Sequence, residues 1–390
     1  MKRNKDLKKE LELYIHIPFC IRKCAYCDFL SGPADDKTIE CYVGKLIEEI
    51  QAHGAGETMD KNVVTTIFFG GGTPSIFSGS QMRRIMEAVK ANFDIVEDAE
   101  ISMEANPGTV TKEKLECYRQ AGINRISFGL QSADDEELKL LGRIHTWEKF
   151  LESFQLAREC GFDNINVDLI SAIPNQTLES WESSLRNVIA LEPEHISAYS
   201  LIVEEGTPFY EKYGEGAEGE VLLPSEEDER QMYHCTEALL REAGYHRYEI
   251  SNYAKPGREC RHNLGYWERK NYLGIGLGAS SLIDNVRYRN TECLEDYIQF
   301  TCELNQIQKD REILSIEEQM EEFIFLGLRK MEGISKKLFQ NTFGKTLEQC
   351  YGKNIQNMIE KGLLVMEEDV LKLTKAGIDI SNYVFAELLS

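Results

Sequence analysis

The sequence has no uninterrupted apolar run of about eighteen residues, the length a helix needs to cross a membrane. Contact with a membrane surface from the outside stays open. The start, Met1-Lys2-Arg3-Asn4-Lys5, is basic, but no apolar stretch follows, so it does not read as a secretory signal. Basic residues are in deficit: 44 Lys and Arg stand against 66 Asp and Glu, a net charge of −22. Phosphate binding needs a basic surface, so this balance speaks against a nucleic-acid partner. No internal repeat or low-complexity segment stands out, and the chain does not read as a repeat array. The cysteines number eleven, an odd count without a signal peptide, which speaks against disulfides and fits a reducing cytoplasm. What remains is ordinary for a globular protein: 390 residues, 42% hydrophobic and 28% charged, enough for two or three domains.

Three of the cysteines are not scattered. Cys20, Cys24 and Cys27 form a C-x3-C-x2-C run directly after the apolar strand Leu13–Ile17. Three thiolates can hold three irons of a 4Fe–4S cluster, which usually takes four cysteines. The fourth iron is then open to a small molecule, which suggests chemistry more than structural support. A structural zinc site is the alternative, but it normally takes four Cys or His ligands. The nearest spare histidine is His16, alternating with Tyr14 on the strand. Cys41, Cys117, Cys160, Cys235, Cys293, Cys302 and Cys350 lack ligand spacing and read as buried, inert thiols.

The first half alternates strand and helix. Apolar runs occur at Leu13–Ile17, Val63–Phe69, Ile101–Glu104, Arg125–Leu130, Ile165–Ile170 and His195–Leu201. Helical spacing links Tyr42, Leu46, Ile47 and Ile50, then Met82, Ile85, Met86 and Val89, then Trp147, Leu151, Phe154 and Leu156 before Gly161. Strands alternating with helices imply βαβ units and a parallel sheet. Six units suit a partial (β/α)6 barrel over 1–205, with functional residues at the strands' C-terminal ends. Those ends carry Cys20–Cys27, Gly70-Gly71-Gly72-Thr73-Pro74, Glu104-Ala105-Asn106-Pro107-Gly108, Gln131-Ser132 and Asp168. Residues 206–300 read as a connector, a helix from Ser225 to Ala243, and a small α+β region rich in aromatics and glycine. Residues 301–390 read as helices plus a hairpin, Leu363–Met366 with Val370–Leu373, in a winged-helix-like order. That part carries 11 Lys and Arg against 15 Asp and Glu, a net of −4, so a DNA-reading wing is not expected.

The cysteine spacing after a strand resembles the radical S-adenosylmethionine (radical SAM) superfamily. Tyr14-Ile15-His16-Ile17-Pro18-Phe19-Cys20, Gly70–Ser75, Arg125–Ser132, Leu141-Gly142-Arg143-Ile144-His145 and Asn166–Ile170 resemble its coproporphyrinogen dehydrogenase-like branch. The resemblance implies that Cys20, Cys24 and Cys27 hold a 4Fe–4S cluster whose open iron chelates SAM. It implies SAM contacts at Tyr14, Gly71, Gly72, Thr73, Glu104, Gln131, Arg143 and Asp168. One electron from the cluster then cleaves a carbon–sulfur bond of SAM and gives a 5′-deoxyadenosyl radical; the electron would come from a donor such as a flavodoxin or ferredoxin. Two departures separate this chain from the coproporphyrinogen III oxidases of the branch. Phe29 stands where they carry a further cysteine, and only about a dozen residues precede Tyr14. Arg261-His262-Asn263-Leu264-Gly265-Tyr266-Trp267 contains H-N-x-x-Y-W, which resembles the signature of HemW-type haem chaperones. Histidine is a common axial ligand of haem iron. His262 is therefore the expected iron ligand, with Tyr266 and Trp267 packing on the porphyrin. The implied function is a cytoplasmic haem chaperone that binds haem, a 4Fe–4S cluster and SAM and passes haem to an acceptor protein. The alternative is oxidative decarboxylation of coproporphyrinogen III or another radical SAM reaction.

Overall fold

Strand β1 (Lys9–Ile17) shows how the barrel assembles. Successive side chains of a strand point to opposite faces. Leu11, Leu13, Ile15 and Ile17 are fully buried in the main apolar core, and Glu12, Tyr14 and His16 take the opposite face. The same alternation runs through β2 (Asn62–Gly71), β3 (Ile95–Ala105), β4 (Arg125–Gln131), β5 (Ile165–Ser171) and β6 (His195–Ser200). Their second face gathers Glu104, Arg125, Ser127, Asn166, Asp168 and Ser197 around a shared lumen. The strands are therefore apolar outward and polar inward.

The structure, a computed structural model, describes residues 8–56 and 61–389. The basic start at Met1–Lys5 lies outside the described residues. Strands β1 to β6 are parallel and adjacent in chain order. Between them run α1 (Asp36–Gly54), α2 (Gly79–Asn92), α3 (Lys112–Ala121), α4 (Asp135–Leu140), α5 (Trp147–Glu159) and α6 (Leu178–Ile189). Each start is fixed by a side chain. Asp35 accepts the Thr38 amide at 2.8 Å, and Ser78 and Gln81 form a reciprocal box at the head of α2. Gly161 follows α5 at φ 84°, the left-handed geometry that glycine tolerates. The helices then bury one stripe, such as Tyr42, Val43, Leu46 and Ile50 of α1. This is the partial (β/α)6 barrel expected from the sequence.

Two stretches differ from the expectation. The connector is not a plain linker: it folds into α7 (Pro208–Tyr213) before α8 (Glu226–Glu242). Phe209 and Tyr213 are buried against Leu141, Ile170 and Ile173, with Ala25 and Tyr26 beside them. The Phe209 amide donates to the Ala25 carbonyl at 3.0 Å, so this segment covers the cysteine loop. The aromatic region adds strands to both edges of the main sheet. Strands β7 (His246–Arg247) and β8 (Asn252–Ala254) extend the sheet beyond β6. After α9 (Arg261–Trp267), β9 (Asn271–Ile275) pairs parallel with β1, from Leu11 opposite Asn271 to Ile15 opposite Ile275. Then β10 (Ser280–Ile283), β11 (Val286–Asn290) and β12 (Gln308–Ile313) continue antiparallel. The ladder thus crosses the expected limits at 205 and 300. These strands are two to six residues long, too short to show a clear hydrophobic period.

Helices α10 (Leu294–Phe300) and α11 (Leu304–Ile307) precede β12. The remaining chain follows as α12 (Ile316–Gly327), β13 (Ile334–Ser335), α13 (Lys336–Phe343), α14 (Leu347–Glu360), β14 (Leu364–Glu367), β15 (Val370–Leu373), α15 (Lys375–Asp379) and α16 (Ser381–Leu389). Its sheet order, β13-β15-β14, is that of a winged helix. It has its own core, including Ile324, Leu328, Phe339 and Leu371. It fastens to α9 and the sheet through Glu322, which accepts from Arg269 and Arg287, and through Arg329, 4.7 Å over the Trp267 ring. Among the described residues, no helix is long and apolar enough to cross a membrane.

Candidate functional site

The cysteine loop leaves β1 and is closed at its base by two backbone hydrogen bonds. The Cys20 amide donates to the Gly32 carbonyl, and the Gly32 amide to the Pro18 carbonyl, both at 3.0 Å. Cys20, Cys24 and Cys27 are free thiols, all partly exposed. Polar groups face two of the sulfurs. Thr73 Oγ1 donates to Cys20 Sγ at 3.4 Å, and Arg143 Nη1 to Cys24 Sγ at 3.4 Å. Burial pushes the Cys27 thiol up.

The donor set fits a cluster better than one ion. A single zinc holds thiolates at about 2.3 Å, which forces them into a tight shell. Among the described residues, no three His, Cys, Asp or Glu side chains come together to hold a single metal ion. A 4Fe–4S cluster places each cysteine on its own iron and tolerates wider spacing. His16 does not stand ready as a fourth ligand: its Nδ1 meets the Tyr14 hydroxyl and its Nε2 the Leu30 carbonyl, both at 3.0 Å. Of the other cysteines, Cys41, Cys293 and Cys302 are exposed, not buried as expected. Cys260, which the spacing did not single out, is the fully buried one.

The glycine turn after β2 is pressed against this loop. An added Cβ on Gly72 would lie 2.6 Å from the Phe19 carbonyl oxygen and 3.0 Å from Cys20 Sγ. Gly71 takes φ 112° and backs onto the His16 ring. Its amide donates to Glu104 Oε2 at 3.1 Å. Burial, with the charge of Asp168 added, pushes the Glu104 carboxyl up to about 8, so it holds a proton at neutral pH. Asp168 accepts from Ser127 Oγ and Asn166 Nδ2, each at 2.8 Å; burial raises its pKa too. Arg143 also donates through Nη2 to Asn106 Oδ1 and the Gly129 carbonyl. Gln131 adopts φ 76°, and its amide and the Arg143 guanidinium both lie within 3.4 Å of where a Cβ on Gly129 would stand.

Glu104 and Asp168 line a lumen of about 180 Å³ together with Tyr14, His262 and Tyr266. The residues 262–267 are thus close in space to Tyr14 and Asp168, despite their distance in sequence. His262 is 1% exposed. Its Nδ1 meets Thr66 Oγ1 at 2.7 Å, its Nε2 meets the Tyr266 hydroxyl at 3.0 Å, and Phe68 stacks on its ring with centroids 5.1 Å apart. Burial, with the charge of Arg125 added, lowers its pKa to about 3, so the ring is neutral. Iron ligation there requires breaking one of the two hydrogen bonds. It also requires admitting a macrocycle to a space smaller than the roughly 300–1,000 Å³ of ordinary ligand pockets. Trp267 is half-buried, with Arg329 4.7 Å over its ring. The H-N-x-x-Y-W segment thus forms the floor of the barrel and is tied to the C-terminal module through Trp267 and Arg329.

Sequence reasoning gave no role to Arg125, Ser127, Asn166, Ser197, Tyr199 and Asn263, which also line the lumen. Their signal was present: in Arg125-Ile126-Ser127 and Asn166-Val167-Asp168, polar residues alternate with apolar ones, the mark of a strand with one wet face.

Comparison with known proteins agrees with this architecture. Residues 14–188 match the profile of the Radical SAM superfamily, and residues 314–380 that of the HemN C-terminal domain. The Bacillus subtilis (strain 168) protein named heme chaperone HemW is 38% identical over 377 residues, 96% of this chain and 98% of its own. The heme chaperone HemW of Escherichia coli K12 is 43% identical over 278 residues, 69% of each chain. The solved structure of coproporphyrinogen III oxidase (HemN) from Escherichia coli, a radical SAM enzyme, superposes with a TM-score of 0.85 over 98% of this chain and 91% of that one. Its 23% identity makes that a likeness of fold. With relatives this similar over nearly its whole length, the chain belongs to the HemW family of the radical SAM superfamily.

Proposed function

We propose that the protein is a haem chaperone that carries a 4Fe–4S cluster and a SAM site and delivers haem to an acceptor protein. The observation that carries this function is the likeness to a heme chaperone over 96% of the chain, at 38% identity, joined to a loop built for three thiolates. Cys20, Cys24 and Cys27 would hold the cluster, which when reduced supplies one electron to the carbon–sulfur bond of SAM. The chain's own groups do the rest. Gly72 allows the backbone to approach the loop, as no larger residue could. Thr73 and Arg143 orient the sulfurs. Protonated Glu104 holds the Gly71 amide, and with Gln131, Tyr14 and Asp168 it offers hydrogen bonds to a polar ligand at the strand ends. The polar lumen beneath would exclude bulk water once a ligand closes the mouth. A small electron-transfer protein, a flavodoxin or a ferredoxin, would reduce the cluster. Nothing favours the coproporphyrinogen III oxidase activity beyond the shared fold, and Phe29 in place of the extra cysteine speaks against it. The test is anaerobic reconstitution followed by haem titration. One haem retained per chain through gel filtration supports the chaperone; no retained haem removes it.

A further inference from the structure

Taking a charge out of water is costly, so buried charges are as a rule paired and hydrogen-bonded. Arg125, the first residue of β4, departs from that rule. It is 2% exposed and carries five N–H donors. Among the described residues it forms no ion pair, its one hydrogen bond runs from Nη1 to Ser102 Oγ at 3.5 Å, and its Nε has no acceptor. Arg143, by contrast, meets Cys24, Asn106 and Gly129.

Glu100 and Asp168 are the carboxylates in the field of Arg125, and both are engaged elsewhere. Glu100 accepts the Arg261 amide on Oε2 at 3.0 Å and the His262 amide on Oε1 at 3.3 Å. Asp168 takes Ser127 on one oxygen and Asn166 on the other. Glu104 holds its proton and adds no charge. Arg125 lines the lumen, and so does Asn263 of α9. Asn263 is half-buried, and among the described residues its side-chain amide has no hydrogen-bond partner. A guanidinium and an amide with donors to spare therefore share the wall of one cavity. The planar fork of arginine matches a carboxylate, which it binds through two parallel hydrogen bonds.

We propose, building on the chaperone function above, that Arg125 and Asn263 bind a carboxylate of the ligand that enters the barrel. Two ligands of that function carry one: haem, as a propionate, and SAM, on its methionine moiety. The position of Arg125 favours the propionate. Arg125 opens β4 and Gln131 closes it, and at about 3.3 Å per residue the two ends lie about 20 Å apart. The cysteine loop is at the Gln131 end, where the open iron would hold the carboxylate of SAM.

The experiment uses the anaerobically reconstituted full chain and its Arg125→Lys and Asn263→Ala variants. Each is titrated with haem and with haem dimethyl ester, followed by the Soret band. Each is also titrated with SAM, followed by the electron paramagnetic resonance spectrum of the reduced cluster. Iron content and melting temperature are read on every sample. Asn263→Ala removes no hydrogen bond, so both should match the parent's. We expect the parent to prefer haem to the ester by about tenfold or more, as one hydrogen bond to a charged group contributes. Both variants should lose most of that preference and keep the parent's affinity for the ester and its response to SAM. A weaker SAM response with unchanged haem binding supports the same two residues and makes SAM the source of the carboxylate. Parental haem and SAM responses in both variants, or equal loss of haem and ester, overturns the carboxylate site. Where Arg125→Lys loses iron or melts early, Asn263→Ala decides by the same criteria. A parent that binds no haem defeats the chaperone function itself, and the SAM titrations then decide the carboxylate site.

Discussion

Gly72 and Cys20 are in contact so close that the glycine cannot carry a side chain: its added Cβ would meet Cys20 Sγ at 3.0 Å and the Phe19 and Ile17 carbonyl oxygens at 2.6 and 3.0 Å. Two of those three neighbours are backbone and cannot swing aside. The turn after β2 and the loop after β1 are thereby one unit, held by the Gly72 amide on the Ile17 carbonyl at 2.8 Å. Gly72→Ala should push the two loops apart and cost about 1–3 kcal/mol, the usual range for overpacking. It should also lower the iron and sulfide retained per chain. Parental iron content and melting temperature would show that the contact is relaxed.

The cluster should depend on three cysteines. Cys20→Ala, Cys24→Ala or Cys27→Ala should abolish the visible absorption of the reconstituted protein. Cys41→Ala, an exposed thiol on α1, should leave it intact. Full absorption in any of the first three variants contradicts the assignment.

Arg143 is a positioning residue that touches Cys24, Asn106 and Gly129 together. Arg143→Lys keeps the charge but loses the planar fork that serves three acceptors. The variant should retain its iron yet show a weaker change in its electron paramagnetic resonance spectrum when SAM is added to the reduced protein. A response of parental size at equal SAM concentration would remove Arg143 from the site.

Stability should depend on pH through Glu12, which is buried on the inner face of β1, 4.0 Å from His262 Nδ1. Burial pushes its carboxyl up to about 9, against the opposing charge of Lys270. The folded chain therefore keeps a proton that the unfolded chain has lost, and stability falls as pH rises from the ordinary 4.5 towards 9. Gln carries no such proton. Glu12→Gln should match the parent most closely near pH 4 and gain in melting temperature over it as the pH rises to 9. A gap that stays constant across that window would place the carboxylate elsewhere.

The six barrel strands and their helices were legible because each is long enough to show its period. Leu11, Leu13, Ile15 and Ile17 alternate with Glu12, Tyr14 and His16, and Tyr42, Leu46 and Ile50 return every turn. The site at the strand ends was legible because its residues are tied to short spacings, as in Cys20-x3-Cys24-x2-Cys27. What the sequence hid depends on contacts between distant segments. Nothing local says that Asn271–Ile275 pairs with β1, or that Phe209 folds back over Ala25. The surroundings of His262 show the same limit: its two ring nitrogens meet Thr66, 196 positions away, and Tyr266.

The central claim is haem carriage without porphyrin oxidation. It is tested most directly on one anaerobically reconstituted sample, divided between a haem titration and an assay for protoporphyrinogen formed from coproporphyrinogen III with SAM and reductant. The account predicts a saturable Soret band at one haem per chain and no protoporphyrinogen beyond the enzyme-free blank. Catalytic turnover of coproporphyrinogen with no haem bound would contradict it.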